Sequence, residues 1–228
     1  MLKHNGLTLF FALLCLLAIG GQSIAGHADY NEEERAHARL LDEQPQELSY
    51  GRYVTSSSFA QDVMENWQSE YLQFLLFMMA TTYLIQRGSP ESKEPGQEGL
   101  ESDEEQKVGP HADEEESPWP AKTRGAIHFL YANSLLTLMG LLFAGAWFAQ
   151  SVTGWTAYNA EQSEHMQSTV SYVTYLGTGD FWNRTLQNWQ SEFLAVGSFA
   201  IFAVYLRQRG SPESKPVGAP HEATGVEG

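Results

Sequence analysis

The stretch Asn66-Trp67-Gln68-Ser69-Glu70-Tyr71-Leu72 decides the fold of this chain, because residues 188–194 repeat it with a single Tyr-to-Phe change. Each copy continues into an apolar run and then into an identical octapeptide, QRGSPESK, at 86–93 and 208–215. Such internal self-similarity is the sequence signature of a repeated structural unit. The sequence therefore predicts a tandem duplication, in which one half-unit is used twice.

The similarity between the two halves extends upstream of this motif. One constant offset aligns residues 22–37 with the second half, and a second offset aligns the sequence from Ser49 onward. The first half therefore carries six more residues, around 40–45. Aligned pairs include Tyr30 with Tyr158, Asn31 with Asn159, Tyr50 with Tyr172 and Tyr53 with Tyr175.

Long segments without charge predict membrane helices. Residues 6–26 and 125–160 contain no Asp, Glu, Lys or Arg, and about 20 apolar residues cross a hydrocarbon layer of about 30 Å. The runs that follow Glu70 and Glu192 are shorter. Their helices must therefore begin earlier, near Trp67 and Trp189, which places both glutamates at the membrane edge.

We therefore predict an all-α membrane protein with four transmembrane helices. These form two parallel tandem two-helix repeats with partly helical extracytoplasmic loops. The predicted first repeat is 1–93, with helices at about 6–26 and 67–86, and the second is 122–215, with helices at about 126–150 and 189–207. Residues 94–121 are rich in Glu, Asp, Gly and Pro and are predicted to form an acidic disordered linker, and 216–228 a disordered tail.

Charge and cysteine content exclude several classes of protein. The formal net charge of -15 argues against nucleic-acid binding and against docking on anionic lipid through basic patches. The lipid bilayer is the partner that the apolar segments predict, and no protein partner is indicated. The single Cys15 excludes an intramolecular disulfide. The sequence also lacks a Gly-rich phosphate loop, HExxH, GxSxG and CxxC.

Residues 1–25 allow two interpretations. Lys3, the apolar run 7–19 and Ser23-Ile24-Ala25 resemble a secretory signal with a small-residue cleavage site. However, residues 21–26 align with 149–154, which end an apolar helix in mid-chain, beyond the reach of signal cleavage. We expect the first helix to be retained, and N-terminal sequencing of the mature protein tests this.

The positive residues predict the orientation. Nine of the thirteen Lys and Arg residues lie at the N-terminus (Lys3), within 87–124 around the linker and within 207–215 before the tail, and the four in the inter-helix loops are Arg35, Arg39, Arg52 and Arg184. Cytoplasmic loops of membrane proteins carry the excess of Lys and Arg. Both termini and the linker are therefore predicted to be cytoplasmic. Two helices in each half make the halves parallel, related by a pseudo-two-fold axis along the membrane normal.

Two segments combine glutamate and histidine at helical spacing. Glu33 precedes His37 by four residues, as Glu161 precedes His165, so on a helix each pair shares one face. Two Glu and two His would be a ligand set suitable for zinc or iron. The alternative is a hydrogen bond from each His to its Glu on a solvated or packed surface. No further ligand is evident within a half, so no cofactor is predicted, and a metal ion stays the open alternative.

The repeated NWQSE segment is the more specific signal. Its candidate functional or structural residues are Asn66, Trp67, Glu70, Asn188, Trp189 and Glu192. Tryptophan and amide side chains suit the membrane interface, whereas a carboxylate near the acyl region is costly unless it is paired, protonated or facing water. In a structural interpretation each Glu is satisfied within its own half, by loop N–H groups or by Arg52 or Arg184. In a functional interpretation the two carboxylates converge and bind a cation, a proton or an amine.

These motifs together resemble a family of uncharacterised bacterial multi-pass membrane proteins known only as a domain of unknown function. The resemblance rests on the YNxExxxH, NWQSE(Y/F)L and RGSxESK elements and covers nearly the whole chain apart from the linker and tail. The first half departs modestly, with His27 where the second half has Trp155. The resemblance implies a bacterial cytoplasmic (inner) membrane protein and supplies no activity and no catalytic residues.

Three hypotheses follow for the function. The first is a non-enzymatic membrane protein with a structural or partner-binding role. The second is a small ion-coupled carrier that uses Glu70 and Glu192, and the third is a metal-binding membrane protein or enzyme that uses the Glu33, His37, Glu161 and His165 set. In a chain with an internal two-fold repeat, the two halves can pair as two subunits of a homodimer would, so a monomer is slightly favoured.

Overall fold

The computed structural model describes residues 4–228, so Lys3, which counted toward the predicted orientation, lies outside the described residues. Residues 4–228 form seven α-helices and contain no β-strand. The helices are α1 (Gly6–Leu41), α2 (Tyr50–Tyr53), α3 (Ser57–Tyr83), α4 (Ala126–Ala132), α5 (Ser134–Glu164), α6 (Tyr172–Tyr175) and α7 (Gly179–Tyr205). The predicted all-helical class is confirmed.

Helices that align between the two halves of the sequence have matching bounds. The offset that aligns the NWQSE copies also aligns α2 with α6 and α3 with α7 at both ends. The upstream offset aligns the first residue of α1 with the first residue of α5. The six additional residues of the first half fall at the end of α1. Glu164, the last residue of α5, aligns with Ala36, whereas α1 continues to Leu41.

The helices are longer than the apolar segments that predict them. The predicted segment 6–26 is only the first part of α1, and 67–86 overlaps the second part of α3. Residues 27–41 contain no Gly or Pro and are rich in Ala, Glu and Arg, which favour helix. At the start of α3, the Ser56 hydroxyl accepts a hydrogen bond from the Phe59 N–H at 3.2 Å and caps the helix.

The predicted helix 126–150 is two helices, α4 and α5, separated at Asn133. The side-chain amide of Asn133 donates to the carbonyl of Phe129 at 2.8 Å. This bond competes with the regular backbone pattern, which is why asparagine is unfavourable inside a helix. Asn133 thus separates α4 from α5. Helix α5 then begins at Ser134, which aligns with Gly6, the first residue of α1.

Two helices within residues 4–228, α1 and α5, are long and apolar enough to span a membrane. Their most apolar windows have mean hydropathies of 2.1 and 1.6, and only 6% and 17% of these windows are buried. Leu7, Phe10, Leu16 and Phe148 are among the large apolar side chains that both helices leave exposed. Apolar side chains that the protein does not cover are suited to contact with lipid.

The chain divides into two compact units. Unit 1 comprises Met1–Met64, described from residue 4, and Ala149–Thr178, and unit 2 comprises Glu65–Phe148 and Gly179–Gly228. Helices α3 and α5 therefore contribute residues to both units. Unit 1 holds the polar segments between the long helices, and unit 2 holds the NWQSE copies, the octapeptides, the linker and the tail.

In unit 1, an asparagine of each long helix fixes the segment before the next short helix. Asn31 accepts a hydrogen bond from the Leu48 N–H at 2.8 Å and donates to the Leu48 carbonyl at 3.0 Å. Asn159 makes the same two bonds with Val170, at 2.8 and 3.0 Å. One amide thus satisfies both backbone groups of one residue, which sets the register of the loop against the helix.

A ring one turn earlier reaches the same carbonyl in both halves. Trp155 Nε1 donates to the Val170 carbonyl at 2.8 Å, and His27 Nε2 lies 2.7 Å from the Leu48 carbonyl. Because a carbonyl only accepts, His27 forms this bond in the tautomer that carries the proton on Nε2. The histidine therefore replaces tryptophan as a donor. The difference between His27 and Trp155 leaves the bond to the loop carbonyl intact.

A tyrosine of each short helix packs against a glycine of the long helix. A Cβ atom on Gly26 would overlap the Tyr53 hydroxyl oxygen, and one on Gly154 would overlap that of Tyr175. Both tyrosines are buried. A side chain cannot be added at these glycines without displacing a buried ring, so the close approach requires glycine.

Residues 94–121 and 216–228 contain no long helix. The structure describes turns in both segments and two short 3-10 helices, Gly109–His111 and Trp119–Lys122, at the end of the linker. The disorder expected for these segments stays a prediction.

Candidate functional site

In unit 2, the two NWQSE copies contact each other through unlike positions. Trp189 of α7 donates its indole N–H to Gln68 Oε1 of α3 at 2.7 Å. Gln68 is fully buried, whereas Trp67, which aligns with Trp189, is 40% exposed. The bond therefore joins the tryptophan of one copy to the glutamine of the other. The aligned residues Trp67 and Gln190 are both exposed.

A second polar contact lies one turn before this pair. Glu65 of α3 accepts a hydrogen bond from the Asn188 amide at 2.8 Å and forms an ion pair with Arg184 at 3.4 Å. Arg184 also pairs with Asp180, four residues earlier in α7, at 3.2 Å. Glu65 aligns with Gln187, so this carboxylate has no counterpart in the second half. Arg184, one of the arginines expected to satisfy a NWQSE glutamate, is thus engaged by other acids.

An aromatic cluster supports the same end of α7. Trp147 of α5 stacks on Phe143 and on Phe181, with centroids 5.6 and 6.3 Å apart, and contacts Trp189 at 5.7 Å. Such ring pairs add about 0.5–1.5 kcal/mol each beyond the area they bury. Phe143 and Trp147 align with Cys15 and Ile19, so the cluster belongs to the second half alone. It fixes the position of the Trp189 indole.

Glu70 and Glu192, the NWQSE carboxylates, lie within electrostatic range of each other. The charge of Glu70 acts on Glu192, which is half-buried, and Glu70 itself is exposed. Within residues 4–228 neither carboxylate has a hydrogen-bond or ion-pair partner. Asn66 is exposed as well. Within residues 4–228 the structure therefore does not pair these glutamates with an arginine, and the charge of Glu70 acts on Glu192.

A cavity of about 290 Å³ lies between α3 and α7, beginning one turn beyond these glutamates. It is lined by Gln73, Phe74, Phe77, Glu91, Ala195, Val196, Phe199 and Glu213. The members of this set are aligned pairs, such as Phe77 with Phe199 and Glu91 with Glu213. The walls are mostly apolar, and the only ionisable groups in the lining are the two octapeptide glutamates.

The octapeptides fold alike and return toward the helices that they follow. The Ser92 hydroxyl accepts a hydrogen bond from the Gln86 N–H at 3.0 Å, and Ser214 accepts one from Gln208 at 2.9 Å. Gly88, with a φ of 86°, makes the turn in the first copy. This closed loop explains the Gly and Ser residues of the motif, and it leaves the glutamate side chain free to reach the cavity.

The two octapeptide glutamates form a hydrogen-bonded carboxyl pair. Burial, the hydrogen bond to Glu213 and the charges of Glu213 and Glu227 together raise the pKa of Glu91 to about 7. Two adjacent carboxylates cannot both ionise easily, so they share a proton near neutral pH. The sequence by itself does not predict this pair, because Glu91 and Glu213 are 122 positions apart and only the fold brings them together.

The lysine of each octapeptide is directed away from this pair. Lys93 binds the Gly99 carbonyl and Glu101. Lys215, which is 1% exposed, donates to the carbonyls of Gly88 and His221. The basic groups next in sequence to the glutamates therefore do not neutralise them.

In unit 1, the structure brings together the two histidines of the predicted metal set. The rings of His37 and His165 lie 5.3 Å apart in an edge-to-face arrangement. The Nε2 atom of His37 is buried and has no hydrogen-bond partner in the described chain. Glu164 interacts electrostatically with both rings and with Glu34. Glu34 and Glu164 are neighbours that the sequence analysis did not single out.

The histidine pair is not part of a larger ligand cluster. Among residues 4–228, no group of three or more His, Cys, Asp or Glu side chains is placed to hold a metal ion. Glu33 is exposed, and so is Glu161. The metal interpretation of Glu33, His37, Glu161 and His165 thus stays a prediction, with only the two imidazoles brought together.

Comparison with known proteins identifies the family and nothing further. The profile of a family described as a domain of unknown function (DUF6766) matches residues 1–226. No curated protein and no solved structure matches the chain. The match covers nearly the whole length, so the chain belongs to the DUF6766 family.

Proposed function

We propose that this member of the DUF6766 family is a multi-pass membrane protein with a structural or partner-binding role in the bacterial inner membrane. In this proposal the chain is a tandem duplication, its first helix is retained, and α1, α3, α5 and α7 all cross the bilayer. The contact that carries the proposal is the bond from Trp189 to buried Gln68, which joins the two NWQSE copies.

The use of the repeated polar residues supports a structural role. Several repeated residues of unit 1 bind backbone groups or one another, as Asn31 binds Leu48 and Ser23 binds Tyr50 at 2.8 Å. In the second half, Asn159 and Ser151 repeat both contacts. Buried polar side chains need hydrogen-bond partners, and these bonds supply them while they fix the loops. The duplicated Asn and Ser side chains of this region are therefore explained by folding alone.

The exposed surface of α3 and α7 supports four membrane spans. Leu76 and Met79 of α3 are exposed, as are Leu194 and Phe202 of α7. These helices fall short of the hydropathy of α1 and α5 because their first turns carry the charged and amide residues of the loop region. Apolar side chains exposed over several turns are stable only when lipid or another protein covers them.

The proposed orientation places the linker and both termini in the cytoplasm and the polar segments of unit 1 outside. The distribution of Lys and Arg supports it. The proposal also keeps the chain a monomer, because the two halves of one chain supply the pairing that a dimer of half-units would need. Its protein partner is not specified by any described surface.

Cysteine labelling of intact cells tests this topology. In a Cys15→Ser background, we expect Glu43→Cys and Ser168→Cys to react with a membrane-impermeant maleimide from outside. Glu98→Cys in the linker should react only after permeabilisation. If only α1 and α5 cross the membrane, positions 43 and 98 label from the same side, and the four-span proposal is wrong.

An ion-coupled carrier is the second candidate, and one observation favours it. Glu70 and Glu192 lack partners among the described residues, interact with each other, and lie one turn from a cavity between α3 and α7. A purely structural role gives no reason to keep two unpaired carboxylates together. Glu70→Gln and Glu192→Gln proteins of unchanged stability that lose cation-dependent uptake in proteoliposomes would support the carrier.

A further inference from the structure

The cavity between α3 and α7 has the composition of a ligand pocket. Its volume of about 290 Å³ equals that of about ten water molecules, each of which occupies about 30 Å³ in the liquid. Phe74, Phe77 and Phe199 supply three phenyl rings, and Val196 adds an aliphatic wall. A small apolar pocket with a few convergent polar groups is the usual form of a small-molecule site.

The polar groups of the cavity select the charge of the ligand. Glu91 and Glu213 contribute a hydrogen-bonded carboxyl pair, and Glu227 of the tail adds a further negative charge that acts on Glu91. Lys93 and Lys215 bind carbonyl groups elsewhere. Neither lysine therefore neutralises the pair, and the carboxyl groups with Glu227 make the potential in the cavity negative. Anions are excluded by repulsion.

The same groups argue against a bare metal ion. Calcium requires six to eight oxygen ligands, and magnesium requires an octahedral set. The cavity offers the two carboxyl groups and the Gln73 amide, and its other lining residues are apolar. An ammonium ion needs only about three hydrogen bonds, and its positive charge is also attracted to aromatic faces.

We propose that this cavity binds a hydrophobic primary ammonium ion. The ammonium group lies between the carboxyl groups of Glu91 and Glu213 and takes the place of the proton that they share, which passes to solvent. The apolar body of the ligand lies against Phe74, Phe77 and Phe199. This site is separate from the carboxylates of Glu70 and Glu192, and it does not depend on the number of membrane spans.

Phenethylammonium is a suitable probe, because it carries a primary ammonium on a phenyl body of the required size. We expect it to bind the full-length protein in detergent, measured by isothermal titration calorimetry. The uncharged isostere 2-phenylethanol should bind at least about tenfold more weakly, since hydrogen bonds to charged groups contribute about 1.5–3 kcal/mol. Phenylacetate should not bind. The binding enthalpy should vary with the buffer, because binding releases a proton.

Two variants distinguish this site from non-specific uptake by the detergent. The Glu91→Gln/Glu213→Gln double variant should lose about tenfold or more in affinity for phenethylammonium and bind 2-phenylethanol as the native protein does. Glu98→Gln, an exposed linker substitution that removes one negative charge, should change neither. Equal binding of the two isosteres to native protein would overturn the proposal without relying on any variant. The proposal would also be overturned if phenethylammonium did not bind detectably, or if the double variant bound it as tightly as the native protein does.

Discussion

Trp189 donates its indole N–H to Oε1 of Gln68, 121 positions earlier in the chain, at 2.7 Å. The acceptor is fully buried, and the donor is held by the aromatic cluster around Trp147. Both residues belong to the NWQSE motif, yet their aligned counterparts, Trp67 and Gln190, are exposed. The two copies of one motif thus have different structural roles.

This asymmetry predicts unequal effects of two matched substitutions. Trp189→Phe should lower the free energy of unfolding by about 1–3 kcal/mol, because it leaves a buried acceptor without its donor. Trp67→Phe, at the aligned position, should change it by no more than about 0.5 kcal/mol, as is usual for exposed positions. Equilibrium unfolding in mixed detergent measures both values. Equal losses would show that Trp67 and Trp189 contribute alike.

The close approach of Gly26 to Tyr53 predicts a strong steric effect. Gly26→Ala places a methyl group against the tyrosine hydroxyl, and overpacking of this kind costs about 1–3 kcal/mol. Tyr53→Phe in the same chain should recover part of the loss. Gly21→Ala is the control, because nothing lies within 4 Å of the added atom. It should be neutral or stabilising, and a loss as large as that of Gly26→Ala would mean that helix flexibility matters more than the tyrosine contact.

The amide of Asn31 predicts a difference between two polar replacements. Asn31→Ala removes both hydrogen bonds to Leu48 and should cost about 1–3 kcal/mol. Asn31→Asp keeps the acceptor but sets a carboxylate oxygen against the Leu48 carbonyl. We therefore expect Asn31→Asp to be at least as destabilising as Asn31→Ala at neutral pH, and less so in acid, where the protonated group can donate. Thermal unfolding at two pH values measures this, and an aspartate variant as stable as native protein would contradict the two-bond geometry.

The raised pKa of Glu91 predicts a pH-dependent contribution to stability. Its pKa rises from 4.5 to about 7 on folding, so between these values the folded chain binds more protons than the unfolded chain. Stability from this group is therefore fully present below pH 4.5 and is lost as the pH rises through about 7. The difference in unfolding free energy between native protein and Glu91→Gln should fall across this window. Glu98→Gln, compared in the same way, should show no such trend, and a flat difference for Glu91→Gln would rule out the shared proton.

The histidine pair predicts weak metal retention. Two imidazoles fill only half of the tetrahedral set of a structural zinc site, and His37 and His165 are not joined by further ligands within residues 4–228. After dialysis against a chelator, purified protein should hold clearly less than one zinc per chain. One tightly held zinc, lost in both His37→Ala and Glu33→Ala, would support the four-residue site instead.

Local structure was largely predictable from the sequence. Within residues 4–228, the charge-free runs and the helix-favouring segments are largely helical, and the aligned pairs α2 with α6 and α3 with α7 have the same bounds. Backbone conformation follows nearest neighbours along the chain, and similar neighbours give similar helices. The glycines and serines of the octapeptide, such as Gly88 and Ser92, fold the same loop twice for the same reason.

Only the tertiary structure decided which long-range pairs form. Glu91 meets Glu213 and His37 meets His165, whereas Glu33 and Glu161 stay exposed and Trp67 lacks the bond that Trp189 makes. The motif has nearly the same sequence in both copies and therefore the same local preferences, so it does not determine which copy will be buried. That choice follows from a few unlike residues outside the motif, such as Glu65 against Gln187 and Trp147 against Ile19. Their effect depends on packing between helices that are distant in sequence.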